Sequence, residues 1–214
     1  MQSPDHKNRM SLSASPFSLA TLLALTIFSG AVAAAGSAES GERKAVTCAA
    51  CHGQDGNSLN PEWPSLAGQH EKYVVNALQA YKDGKRSNVL MTGQALALND
   101  EDMADLAAFY ATQTPAQRLA DPALVTQGER LYRGGNRDSS VSACIACHGP
   151  TGRGNPAAGY PSVAGQHDTY TARQLRAYAS AERKSDPGQI MRNIAARMTE
   201  DEIIAVSSYI QGLR

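Results

Sequence analysis

An all-α protein made of two tandem, homologous helical modules is what the sequence predicts, and three observations predict it. The stretch "VTCAACHG" at residues 46–53 returns as "SACIACHG" at 142–149. The text behind each copy also repeats: "CHGQDGNSLNPEWPSLAGQHEKYVVNALQAY" from Cys51 aligns with "CHGPTGRGNPAAGYPSVAGQHDTYTARQLRAY" from Cys147, and "LNDEDMADLAAFY" with "MTEDEIIAVSSYI". Outside the loops the apolar residues follow a helical period, and no stretch alternates with hairpin chemistry.

The elements follow in chain order. Residues 1–16 are polar and carry Lys7 and Arg9, and "FSLATLLALTIFSGAV" then runs for 16 residues without a charge. That is shorter than the roughly 20 residues a membrane-crossing helix needs, and "AVAAAGSAES" behind it offers small-residue cleavage sites. Residues 1–35 are therefore expected to be a signal peptide cleaved after Ala35, sending the chain to an oxidising compartment outside the cytoplasm. Residues 36–115 form the first module, 116–121 a linker inside "TQTPAQRLADP", and 122–214 the second module.

Within the modules, Gly41–Ala50 and Thr126–Gly134 are expected as first helices. His70–Lys82 and Asp168–Ala181 are the second ones, placing Tyr73, Ala77 and Tyr81, or Tyr170, Gln174 and Tyr178, on one face. Asn99 with Asp102, and Thr199 with Glu202, have capping-pair spacing ahead of the last helices. Behind them Met103, Leu106, Ala107 and Tyr110, or Ile203, Val206, Ser207 and Ile210, form the apolar stripe. The loops 53–68 and 149–165 are rich in Gly, Pro and Asn, and loops this long in small modules usually wrap something. The chain has only three Phe and one Trp, so each core is thin unless a cofactor adds apolar surface.

The four cysteines, Cys48, Cys51, Cys144 and Cys147, are weighed next. A redox disulfide would want C-x-x-C at a strand-to-helix junction, which is missing here. Zinc would want the two pairs close together, and an adjacent His after each pair is not zinc-ribbon spacing. The pentad C-x-x-C-H fits haem c: two thiols one turn apart add to the haem vinyl groups, and His52 or His148 ligates the iron. Two covalently attached haem c groups are expected.

A methionine as the sixth ligand would raise the potential and close the site. Met91 and Met103 compete in the first module, Met191 and Met198 in the second. Met103 lies on the apolar stripe and reads as core. Met91 sits in an irregular stretch able to cross a haem face, and aligning the last helices pairs Met191 with Met91 and Met198 with Leu98, so Met91 and Met191 are the expected ligands. His70 and His167, each in "AGQH", are alternatives for a bis-His iron, but their place at the head of a helix suggests a polar N-terminal role. Pro64 and Pro161 follow the pentad histidines closely enough to offer a carbonyl to the other ring nitrogen.

These pentads, with "PSLAGQH" and "PSVAGQH", the methionine segments and "LYRGGN", resemble the cytochrome c4 family of dihaem class I c-type cytochromes over essentially all of residues 36–214. The resemblance implies two cytochrome c-like domains about a pseudo-twofold axis, each wrapped around one haem, with the haems facing each other. It also implies periplasmic electron transfer, sometimes loosely membrane-associated, between partners such as the bc1 complex and a terminal oxidase or another periplasmic reductase. The "SNVL" before Met91 departs from the Asp-Pro-Met type of segment common in the family, and "SDPGQIM" spaces its Asp-Pro away from Met191.

Charge adds a separate argument. Residues 36–115 carry 6 Lys plus Arg against 10 Asp plus Glu, and residues 122–214 carry 11 against 8, so a neutral total hides a dipole. The basic excess has no nucleic-acid motif around it, and nucleic acid is not an expected partner. An electron carrier rather than an enzyme is expected. The alternative is a cytochrome subunit of a dehydrogenase, or a dihaem enzyme such as a peroxidase or a thiosulfate-oxidising cytochrome.

Overall fold

The computed structural model describes residues 36–214; the expected signal peptide lies outside the described residues. Among the described residues there are no strands, only two isolated bridges, Asn136 to Val141 and Asn155 to Tyr160. The first module contains α1 (Ala38–Lys44), α2 (Ala49–His52), α3 (Glu71–Lys82), α4 (Val89–Leu96) and α5 (Asp100–Thr112). The second repeats the order with α6 (Val125–Gly134), α7 (Ile145–His148), α8 (Asp168–Ala179), α9 (Ile190–Ala195) and α10 (Glu200–Gly212). None of these helices is long and apolar enough to cross a membrane.

The last helix of each module is the framework. Both expected capping boxes form: Asn99 and Asp102 exchange side-chain-to-backbone bonds at the start of α5, and Thr199 and Glu202 do so on α10. The first helix crosses the last one at a glycine in both modules. A Cβ on Gly41 would lie 2.0 Å from the Asp105 carbonyl oxygen, and one on Gly128 would lie 2.3 Å from that of Ala205. Only glycine permits backbones this close.

The opening helix differs from expectation. Instead of one helix over Gly41–Ala50, α1 begins at Ala38 under a Ser37 cap, a 3-10 turn spans Ala45–Thr47, and α2 begins at Ala49. The β-branched pair Val46–Thr47 is a poor continuation of an α-helix. In the second module, α8 ends at Ala179 rather than Ala181, because Ala181 adopts a left-handed φ of 57°.

The two cores are unequal. The second gathers Leu131, Tyr132, Leu175, Ile203, Val206 and Ile210 among others, whereas the first consists of Ala45, Leu106, Phe109 and Tyr110 with Cys48, Leu66 and Leu98 against it. Met103 is fully buried, as its place on the stripe predicts, and Met198 packs on the second core as Leu98 does on the first.

The linker is strapped down rather than loose. Arg118 donates to the carbonyls of Ser58 (2.9 Å) and Gly165 (2.6 Å), so one side chain ties a loop of each module.

Candidate haem sites

Each C-x-x-C-H pentad forms a single helical turn. The His52 amide donates to the Cys48 carbonyl at 2.9 Å, and the His148 amide to the Cys144 carbonyl at 2.9 Å. Cys48 and Cys51, like Cys144 and Cys147, therefore stand three residues apart, one above the other. All four thiols are free and half-buried. Burial pushes the Cys144 thiol up to about 11, so it rests as a neutral thiol. Among the described residues no three His, Cys, Asp or Glu side chains gather as a zinc site requires.

Chain direction changes directly after the histidines. Gly53 and Gly149 have φ of 80° and 77°, and a Cβ on Gly53 would meet the Asn57 carbonyl oxygen at 2.4 Å. This reversal brings the following loop back over the imidazole.

The prolyl carbonyls are where the sequence places them. His52 Nδ1 lies 2.8 Å from the Pro64 carbonyl oxygen and His148 Nδ1 lies 3.0 Å from that of Pro161. A carbonyl can only accept, so Nδ1–H is the donor and Nε2 keeps its lone pair. Burial, the larger influence, lowers both histidines despite the opposing carbonyl, which favours the neutral ring that ligates a metal.

The methionines require a correction. Met91 is expected in an irregular stretch, yet it stands in the first turn of a short helix, α4, as Met191 does on α9. Asn88 caps α4 by accepting the Met91 amide at 3.0 Å, which explains how "SNVLM" turns helical without an Asp-Pro. In the second module Asp186 accepts the Arg192 amide at 3.0 Å, and Pro187 begins the 3-10 turn before α9. Both methionines are partly buried, and Met191 packs on the second core.

The histidines of "AGQH" cap nothing. His70 Nε2 donates to the Arg153 carbonyl at 2.7 Å and His167 Nε2 to the Ser58 carbonyl at 2.8 Å, each in the other module. Their expected polar N-terminal role is thus a bridging one, and the donated proton removes Nε2 as an iron ligand. The preceding glutamines do the same. Gln166 brackets Ser65 through its amide and carbonyl (2.9 Å each), and Gln69 brackets Ser162 (2.9 and 3.0 Å). Sequence reasoning missed this contact, although its signal, the repeated Pro-Ser-x-Ala-Gly-Gln-His, was in plain view.

These residues fit haem c. Each module supplies two thiols on one turn, a neutral histidine with a free Nε2 and a methionine from a separate helix. The first module's four-residue core would gain apolar surface from a macrocycle, and its Leu59 and Val89 are 96% and 92% exposed.

The cytochrome c family model matches residues 38–114 and 125–214. Cytochrome c4 of Pseudomonas aeruginosa is 46% identical over 196 residues, covering 91% of this chain and 98% of that protein. The crystal structure of reduced recombinant cytochrome c4 from Pseudomonas stutzeri superposes with a TM-score of 0.82 at 45% identity, covering 84% of this chain and all of that one. A thiosulfate dehydrogenase electron acceptor from Thiomonas intermedia is 34% identical over 172 residues, 78% of each chain.

Proposed function

The chain belongs to the cytochrome c4 family and is an electron carrier with two covalently bound haem c groups; from that premise we propose how its residues hold the haems and where it works. Cys48 and Cys51 anchor one haem and Cys144 and Cys147 the other, each thiol adding its sulfur and its hydrogen across a vinyl double bond, with no oxidant consumed. His52 with Met91, and His148 with Met191, are the axial pairs. Bound there, each haem iron supplies a one-electron Fe(III)/Fe(II) couple. The observation that carries this reading is the pair of imidazole-to-prolyl-carbonyl bonds, His52 to Pro64 and His148 to Pro161, which hold Nε2 ready at the end of each cysteine turn.

The modules, taken as residues 36–115 and 122–214 around a linker at 116–121, work as a relay in the periplasm after cleavage of residues 1–35. The expected partners are a bc1 complex as donor and a terminal oxidase as acceptor, with loose association at the membrane surface. The likeness to a thiosulfate dehydrogenase electron acceptor supports a second donor, an oxidising enzyme of sulfur compounds, with this chain still the carrier. The charge imbalance, acidic in the first module and basic in the second, orients the carrier at a charged partner.

An optical potentiometric titration of the isolated protein tests the assignment. Two one-electron waves and a red charge-transfer band from sulfur-ligated ferric haem are expected. Met91→Ala and Met191→Ala should each remove one haem's share of the band and lower one potential. Retention of the full band in either variant would refute that ligand.

A further inference from the structure

The carbonyl that receives each pentad ring proton belongs to a peptide unit whose other end is held by the opposite module. His52 Nδ1–H donates to the Pro64 carbonyl at 2.8 Å, and the nitrogen of that same peptide, the Ser65 amide, donates to Gln166 Oε1 at 2.9 Å. His148 Nδ1–H donates to the Pro161 carbonyl at 3.0 Å, and the Ser162 amide donates to Gln69 Oε1 at 3.0 Å. Each route from ring to glutamine is thus two hydrogen bonds joined by one planar peptide.

Both glutamines are fixed in place. Each Oε1 also accepts the amide of the next residue, His167 at 3.1 Å and His70 at 3.0 Å. Each Nε2 donates to the serine carbonyl one peptide further on, at 2.9 Å in both modules, so an amide flip would forfeit every bond at once. Gln69 is buried and Gln166 half-buried, and Arg118 braces the latter's surroundings by donating to Ser65 Oγ at 3.0 Å and to the Gly165 carbonyl at 2.6 Å. Bonds that served only to hold the modules together could fall on any loop peptide. Here both fall on the peptide that orients the ring, although the loops differ in length, with 12 residues from His52 to Pro64 and 13 from His148 to Pro161.

Hydrogen bonds in series polarise one another, strengthening by about 10–30% per bond, and an amide that donates its N–H carries a more negative carbonyl oxygen. A stronger acceptor at Nδ1 draws on that proton and makes Nε2 the more basic ligand. A more basic ligand favours ferric iron and lowers the potential.

We propose that Gln166 and Gln69 are positioning residues that tune the haems crosswise: Gln166 of the second module acts on the iron held by His52, and Gln69 of the first module on the iron held by His148. This deepens the functional reading above and rests on its two histidine-ligated haems. Each potential is then a property of the docked modules rather than of one module alone.

The test uses the haem-loaded full chain, with NMR of the ring Nδ1 protons in the diamagnetic ferrous state and a potentiometric titration. Each wave is assigned by the ring proton that it broadens as ferric iron forms. Gln166→Met is close in shape but has no acceptor, and it should move the His52 ring proton upfield. It should also shift the ferric-to-ferrous ratio of that haem about threefold toward ferrous at a fixed ambient potential, roughly 28 mV where tenfold is about 59 mV for a one-electron couple. The His148 ring proton and the second potential should stay at their wild-type values. Gln69→Met should give the mirror pattern, and Gln166→Glu, which keeps an acceptor for the Ser65 amide, should return the His52 ring proton to or downfield of its wild-type position. Unchanged ring protons and potentials, or a shift confined to the substituted module's own haem, would overturn the proposal. Amide exchange in the wild type needs no variant to fold: slow exchange is expected at Ser65 and Ser162, and the rate of an exposed loop at both would overturn it equally. A chain without two haems would instead refute the functional reading beneath it.

Discussion

His52 and His148 show how much a single hydrogen bond settles. Each ring gives its Nδ1 proton to a prolyl carbonyl, and that choice leaves the lone pair of the opposite nitrogen free, in the neutral form that burial already favours. The bond depends on the residue after the histidine. Gly53 has φ of 80° and ψ of 157°, a region that is essentially glycine-only, and its Cα faces the Asn57 carbonyl. Gly53→Ala should cost about 1–3 kcal/mol of stability and disturb the His52 haem spectrum while leaving the second haem unchanged. Denaturant unfolding with visible spectra would show it, and an unperturbed variant would mean that the loop closes without the reversal. The pentad, the glycine and the proline were all legible in the sequence, because each acts within a few residues of chain. The helical setting of Met91 was not, since it follows from an Asn88 cap that competes with extended chain on nearly equal terms.

At the scale of elements, the sign of two substitutions separates local preference from packing. Alanine is the better helix former, so Gly41→Ala should stabilise α1 in isolation. In the protein its Cβ would lie 2.0 Å from the Asp105 carbonyl oxygen on α5, and forcing the helices apart should cost about 1–3 kcal/mol. Ala181→Gly should do the opposite. Ala181 is exposed and sits just past the α8 cap at φ 57°, where α3 has Gly84 at φ 69°, so glycine should stabilise the chain by up to about 1 kcal/mol. Thermal unfolding of the two variants reads both signs at once; a stabilised Gly41→Ala or a destabilised Ala181→Gly would contradict the packing argument. The ends of α5 and α10 were legible because capping boxes are written in four consecutive residues. The break after α1 was not, because a 3-10 turn and an α-helix share most of their local signals.

For the whole molecule the contact between modules is the decisive feature, and it is built from polar groups at matching places. Gln69 and Gln166 each bracket a serine backbone of the other module, and His70 and His167 reach loop carbonyls beside them. Replacing both glutamines by alanine should leave six backbone groups short of partners, the amides and carbonyls of Ser65 and Ser162 and the amides of His70 and His167, and cost about 1–3 kcal/mol for each such group that stays dry. The modules would then melt separately rather than together in calorimetry; a single unchanged transition would show that the amides are dispensable. His167 adds a dependence on pH. Burial, the larger influence, and the nearby Arg118 lower its pKa, opposed by the Ser58 carbonyl and Asp168. With its folded value below its unfolded value of about 6.5, the unfolded chain takes up the proton first. Stability is therefore full above that value and falls as the pH drops below it. With His52 and His148 taken as the iron ligands proposed above, a lower melting temperature at pH 5 than at pH 7 is expected, and His167→Gln should flatten the difference. Equal slopes in both proteins would assign the effect elsewhere.

What the sequence by itself determined was everything that travels with a repeat: two modules, a C-x-x-C-H unit in each, a following loop, a downstream methionine and a capped last helix. Those features are local in the chain, so residue type and spacing carry them. Only the tertiary structure decided how the modules meet, because Gln69 with Ser162, His167 with Ser58 and Arg86 with Gln174 are pairs distant in sequence. It also exposed two buried guanidiniums, Arg86 and Arg183, without carboxylates among the described residues, a condition visible only once the chain has folded and Asp186 has paired with Arg192. The physical reason is the range of the forces: turns and caps are decided by neighbours along the chain, while burial and charge balance belong to the assembled molecule.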